Sequence, residues 1–199
     1  DKLIKVVKKN EKICKYFDIP IQHISDSVLK RMNRKSNSES IELLIKKLRE
    51  KIPNVIIRTT VMVGFPGETQ EDFEKLCNFV ESAKFDKLGA FAYSKEEGTP
   101  AAKLKEQVHP MTKKARYNKI MEIQQKVSEE NLNKYIGKEL EVLVEGKTID
   151  GKYYVCRSYM DVPDIDGLIY LNNSKELKIG DFVKCTIKSS INEYDLLGE

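Results

Sequence analysis

The sequence predicts half of an α/β barrel followed by a small antiparallel β barrel. Three observations predict it. Strand-like and helix-like segments alternate three times in residues 1–134, the pattern of βα units on a parallel sheet. The stretch Val55–Phe73 joins a run of β-branched residues to a tight turn and a helix start. From Leu140 onward, five short alternating segments are punctuated by Gly146, Gly151, Gly167, Gly180 and Gly198, which is the spacing of a small barrel. A closed α/β barrel takes about 250 residues, so the first part amounts to half of one. The boundary falls near Lys134–Lys138, giving domains at 1–134 and 135–199.

Taken in order, residues 2–15 carry Leu3, Val6, Val7 and Ile13 among lysines and read as an amphipathic helix. Tyr16–Ile21 is a short apolar strand closed by Pro20. Ser25 or Asp26 caps a helix through Arg34, with Val28, Leu29 and Met32 inward. Ser38 or Ser40 starts the next helix, whose stripe is Ile41, Leu44, Ile45 and Leu48. The run 55–63 is expected to be a strand buried on both faces. It ends in Gly64-Phe65-Pro66-Gly67, and Thr69 with Asp72 three residues on has capping-box spacing for a helix at 70–83. Leu88–Tyr93 is a third strand, followed by a polar loop. Pro110 and Thr112 precede a long helix near 113–133, with Tyr117, Ile120, Met121, Gln124 and Val127 inward. The barrel strands are expected at 140–145, 152–156, 167–171, 182–188 and 194–197.

Composition excludes several classes. Of the 199 residues, 33% are charged and 40% hydrophobic, no apolar run approaches the ~20 residues that span a bilayer, and no signal peptide opens the chain. A cytoplasmic protein without membrane contact is expected. The chain starts at Asp1 rather than Met, which reads as a piece of something longer. Cys14, Cys77, Cys156 and Cys185 are far apart and form no C-x-x-C pair, so no metal site is expected and four reduced thiols are. The net charge of +4 hides an asymmetry: residues 1–134 carry 27 Lys and Arg against 19 Asp and Glu, whereas residues 135–199 carry 8 against 12.

Ligands of α/β folds gather at the carboxyl ends of the strands. Gln22 and His23 follow the first strand, Thr60 precedes the end of the second, and Tyr93 with Ser94 ends the third. With Arg34 nearby, these groups suit a zwitterionic, nucleoside-like ligand.

Three motifs carry a resemblance. D-I-P-I-Q-H-I-S-D-S-V-L-K-R-M-N-R (18–34), R-T-T-V-M-V-G-F-P-G-E-T-Q-E-D-F (58–73) and F-A-Y-S-K-E-E-G-T-P-A (91–101) closely resemble the radical S-adenosylmethionine methylthiotransferases. The C-terminal part resembles the OB-like TRAM barrel that ends those enzymes, so the first part corresponds to half of a radical-SAM, TIM-like barrel. R-S-Y-M-D-V-P-D-I-D-G (157–167), and R-T-T where relatives have T-D, look like the RimO branch. That branch places a methylthio group on the β-carbon of an aspartate of small-subunit ribosomal protein twelve.

The resemblance implies S-adenosylmethionine as cofactor and two [4Fe-4S] clusters in the full-length enzyme. The cluster-binding cysteines of the family lie upstream and are not in this sequence. By family logic the chain holds neither cluster, contributes no catalytic residue and is inactive alone, its first partner being the missing N-terminal part. Position by position, the resemblance gives Gln22 a contact to the ribose or methionine part of the cofactor, and Arg34 the methionine carboxylate. Thr60 stands where many relatives have Asp, Tyr93 lies where the third strand meets adenine, and His23 is a cofactor-side candidate beside Gln22. Glu68 and Asp72 read as turn and cap. In the acidic barrel, Arg157, Tyr159, Asp161, Asp164 and Asp166 are expected to form a docking surface for the basic ribosomal protein, Tyr159 with Met160 supplying apolar anchors. Alternatives are the transfer-RNA branch of the same family and a non-catalytic binding module. The net −4 of residues 135–199 weighs against nucleic acid, which needs Lys and Arg at its phosphates. The open edge of strand 16–21, where the missing barrel half belongs, is expected to support association with the rest of the protein or self-association.

Overall fold

A computed structural model describes residues 2–173 and 175–199. The first part runs α1 (Lys2–Lys9), β1 (Tyr16–Gln22), α2 (Asp26–Arg31), α3 (Ser38–Lys51), β2 (Ile56–Val63), α4 (Gln70–Ala83), β3 (Lys87–Ala92) and α5 (Pro110–Asn133). The three strands pair in parallel in the order β1-β2-β3. Helices cover one face: Ile57, Val61, Val63 and Ala90 pack against Leu48, Leu76, Val80 and Ile120. Fully burying each such aliphatic side chain contributes roughly 1.5–3 kcal/mol, and this layer holds the sheet. Thr59, also buried on this face, donates its hydroxyl to the Ile19 carbonyl at 2.8 Å.

β2 departs from the expected burial on both faces. Its residues alternate, with Ile57, Thr59, Val61 and Val63 buried and Arg58, Thr60 and Met62 half-buried. The register sets Asp18, Arg58 and Lys87 in one row, Thr60 beside Gly89, and Met62 beside Phe91. This is the sheet face opposite the main helical layer, and on it Met62 packs against the small cluster of Val28, Phe65 and Tyr93.

Local starts and stops follow side-chain chemistry. Thr69 and Asp72 form the expected capping box of α4. For α3 the cap is Asn37, with Ser40 as its reciprocal partner; an Asx side chain takes the position from either serine. Ser25 stands at the N-cap of α2 but makes no cap bond, because its hydroxyl donates to Asp72 instead, at 2.5 Å. Pro110 begins α5 rather than preceding it, since at the first position its missing N–H costs nothing, and His109 caps the helix through Nδ1. Tyr117 lies on the exposed side of α5, and its inward face is instead Arg116, Ile120, Gln124, Val127 and Ser128. α1 stops at Lys9 rather than near residue 15, and β1 continues through Pro20 to Gln22 with an irregular register, as an edge strand permits.

The C-terminal part contains β4 (Glu139–Lys147), β5 (Tyr154–Arg157), β6 (Ile169–Leu171), β7 (Phe182–Ser190) and β8 (Leu196–Gly198). They close in the order β4-β5-β6-β8-β7. The pairing is antiparallel except for β6 with β8, which is parallel. Val142, Val144, Cys156, Ile169, Cys185, Ile187 and Leu196 fill the interior, alternating with outward residues along each strand. Gly198 is required inside, since a Cβ there would collide with Sγ of Cys185.

The two parts share a seam. Ile56 and the Tyr16 ring join the apolar cluster of the β barrel. The Tyr16 hydroxyl donates to Asp166 at 2.7 Å, which pushes the phenol far above its ordinary range through burial and that carboxylate. Lys87 donates to Asp161 at 3.0 Å, and Arg58, paired with Asp18 at 2.8 Å, lies 4.0 Å from Asp166. Asp161 also accepts from Ser158 N–H and Oγ, Asp166 accepts from Val162 N–H, and Tyr159 donates to the Asn54 carbonyl.

The loop expected to dock a partner therefore binds its own chain. Asp161, Asp166 and Met160 are turned into the seam, Arg157 pairs with Glu145, and Asp164 alone of the three aspartates is exposed. Hydrophobic neighbours and the Arg58–Lys87 row claim these carboxylates, which corrects the expectation of a free acidic surface. Asp161→Ala or Asp166→Ala should each cost about 1.5–3 kcal/mol, the worth of a hydrogen bond to a charged group. Urea unfolding with unchanged midpoints would contradict the seam.

Candidate functional site at the carboxyl ends of the strands

β2 ends in Gly64 (φ +71°) and the turn closes on Gly67 (φ +83°), both in the left-handed region that glycine takes without strain. The turn is built around one carboxylate. Glu68 accepts from the N–H groups of Gly64 at 2.5 Å and Phe65 at 3.3 Å. Arg116 of α5 donates to it at 2.7 Å and to the Glu68 carbonyl at 3.1 Å. Burial pushes the Glu68 carboxyl up, while Arg116 and the two amides pull against that shift.

His23, fully buried, completes this cluster. Its Nδ1 accepts from the Ser25 N–H at 2.9 Å, so the neutral ring carries its proton on Nε2. That nitrogen lies 3.8 Å from Glu68 and has no hydrogen-bond partner. Burial lowers the His23 pKa to about 4, with Asp72 opposing and Arg116 assisting, so the contact with Glu68 is between a neutral imidazole and a carboxylate rather than an ion pair. Asp72 is held well below the usual carboxylate range: burial pushes it up, but bonds from Ser25, Thr69 and Ser27 outweigh that.

Above the turn, Val28, Phe65 and Tyr93 form a small apolar cluster, the two rings meeting edge to face at 5.2 Å. Lys113 of α5 passes over Gly64, where a Cβ would collide with its Cγ. Its Nζ donates to the Tyr93 carbonyl at 2.9 Å and sits 4.7 Å from the Tyr93 ring centroid.

Gln22, Thr60 and Tyr93 thus come from three adjacent strands. Gln22 has φ +68° beside a register shift, and Thr60 is half-buried on the face opposite the main helical layer. Arg34 lies beyond the end of α2, exposed, with one long contact of 3.4 Å to the Pro20 carbonyl. His23 sits under the surface, and the Tyr93 ring is buried with its hydroxyl unpartnered. Glu68 holds the turn, as expected, and is anchored to α5 by Arg116. Arg116 and Lys113 were not legible beforehand; the one available signal was Gly64, whose missing side chain makes room for Lys113. Among the described residues no group of three or more His, Cys, Asp or Glu is arranged to hold a metal.

The described residues form a three-stranded parallel sheet seamed to a closed five-stranded barrel. The Radical SAM superfamily profile matches residues 1–80 and the TRAM domain profile matches residues 136–199. Across its whole length it is similar to ribosomal protein uS12 methylthiotransferases RimO: 61% identical to that of Alkaliphilus oremlandii, 52% to that of Thermoanaerobacter sp. and 48% to that of Lachnoclostridium phytofermentans. In each comparison all of this chain matches 45% of the relative, so the chain spans just under half the length of these proteins. Among solved structures, coproporphyrinogen III oxidase (HemN) from Escherichia coli, a radical SAM enzyme, superposes with a TM-score of 0.48 at 21% identity, covering 61% of this chain and 27% of that one.

Proposed function

We propose that this chain is the C-terminal part of a cytoplasmic radical SAM transferase that adds a methylthio group to the β-carbon of an aspartate of small-subunit ribosomal protein uS12. The observation that carries the reading is 61% identity over the entire chain to a protein of that name. No helix among the described residues is long and apolar enough to cross a membrane. S-adenosylmethionine and two [4Fe-4S] clusters supply the radical chemistry in the complete enzyme, the clusters held by the part outside this chain.

The residues present fit the cofactor. Thr60 offers a hydroxyl on the sheet face opposite the main helical layer, Gln22 an amide at the end of β1, and Arg34, without a carboxylate partner among the described residues, a guanidinium fork for a carboxylate. Tyr93 contributes the end of β3 through its backbone, its ring being committed to Phe65. His23 works from below: neutral and buried, it packs beside Glu68 and supports the turn that closes β2. The outer edge of β1 carries no strand among the described residues, and the preceding part of the protein is the partner that fits there.

In the complete protein, Arg34→Ala should weaken S-adenosylmethionine binding about ten- to a hundredfold, the loss of a charged hydrogen bond worth about 1.5–3 kcal/mol. Equilibrium dialysis giving an unchanged Kd would remove Arg34 from the site. The function is tested with the full-length protein, reconstituted with iron and sulfide and offered uS12 and transfer RNA in parallel. Mass spectrometry should find the methylthio group on an aspartate of uS12; modification of the RNA alone would replace this reading with the transfer-RNA one.

A further inference from the structure

Among the described residues, Lys113 is a cation without an anion. Its stem is pinned against Gly64 and its ammonium against the Tyr93 carbonyl and ring, yet no carboxylate pairs with it among the described residues. Other lysines of this sheet rim, Lys95 and Lys114, are exposed, whereas Lys113 is half-buried. Burial already lowers its pKa, the mark of an ammonium that lacks a counter-charge. Beside it opens a cavity of about 640 Å³, lined by Phe91, Tyr93, Ser94, Pro110 and Tyr117.

We propose that Lys113 is a specificity residue that receives the side-chain carboxylate of the aspartate to be modified. The proposal rests on the uS12 reading above and adds to it. Two carboxylates must enter the site in that reaction, one on the methionine part of the cofactor and one on the target residue. Two rim cations that lack a carboxylate partner among the described residues are each held by a carbonyl at a strand end: Arg34 by that of Pro20 beside β1, and Lys113 by that of Tyr93 between the ends of β2 and β3. With Arg34 assigned to the cofactor, Lys113 is left for the target. Its fixed stem favours that role, because little conformational freedom is lost when the carboxylate arrives, and the flanking apolar surface of Phe91 and Tyr117 suits the neighbouring parts of a peptide.

The test uses the complete reconstituted protein with S-adenosylmethionine bound, and two uS12 peptides, one with the target aspartate and one with asparagine in its place. Fluorescence anisotropy should show the wild type binding the aspartate peptide about ten- to a hundredfold more tightly than the asparagine peptide. Lys113→Met should bind both peptides with the wild type's affinity for the asparagine one, while its Kd for S-adenosylmethionine stays unchanged. The peptide arm needs no protein variant, so a misfolded Lys113→Met does not protect the proposal: equal binding of both peptides by the wild type overturns it. So does a Lys113→Met variant that still prefers aspartate, or one that loses cofactor or transfer-RNA binding instead. If the wild type binds neither peptide, the uS12 reading fails and this inference falls with it.

Discussion

Glu68→Ala should lower the unfolding free energy by about 3–5 kcal/mol, because removing one partner of a buried ion pair leaves the other uncompensated. The stranded groups are the Arg116 guanidinium, buried on α5, and the N–H groups of Gly64 and Phe65. Arg116 also stacks at 5.2 Å over Phe73 of α4, so it cannot swing out to water without opening the α4–α5 packing. Glu68→Gln should be milder, since an amide oxygen still accepts from the two backbone donors. Chemical denaturation of the three proteins would check the order. Equal midpoints for wild type and Glu68→Ala would mean that water reaches Arg116 freely.

Protonation of His23 should weaken the fold by about 3 kcal/mol as the pH drops from about 6.5 to about 4. The ordinary histidine pKa is near 6.5, and burial brings that of His23 to about 4 in the folded chain. Between these values the unfolded chain binds a proton that the folded chain refuses, so stability rises with pH across the window and is lost on acidification. Each unit of difference corresponds to about 1.4 kcal/mol. Glu68, pushed upward by burial, contributes with the opposite sign. The informative quantity is therefore the difference between wild type and His23→Gln, in which the histidine contribution vanishes. Parallel pH profiles for the two proteins would show that His23 is not kept neutral by its surroundings.

Much of the fold was legible because its causes are local. The β-branched run, the Gly64–Gly67 turn and the Thr69–Asp72 box each need only neighbouring residues, and α4 and β2 lie within a residue of their expected limits. The five barrel segments were readable for the same reason, through alternation and glycine spacing. What escaped was decided at long range. Tyr16 and Asp166 are 150 residues apart, and nothing near Asp166 distinguishes a carboxylate that docks a partner from one that docks its own sheet. Arg116 and Lys113 sit on α5 among other cations, with Lys114 and Lys119 alongside. Only the approach of α5 to the β2 turn separates the two that matter. Burial on one face of β2 was misjudged because a β-branched run does not record whether a neighbouring layer is present.

The seam between sheet and barrel bears on how this polypeptide could be divided. A cut between Lys134 and Lys138 severs few residues of chain, yet it would part Ile56 and Tyr16 from the apolar cluster they complete, and strip Lys87 of its carboxylate. The covalent junction and the mechanical one are in different places. Swapping in a foreign C-terminal barrel would therefore transplant the loop 157–167 along with it, and succeed only where that loop brings acceptors to the Arg58–Lys87 row.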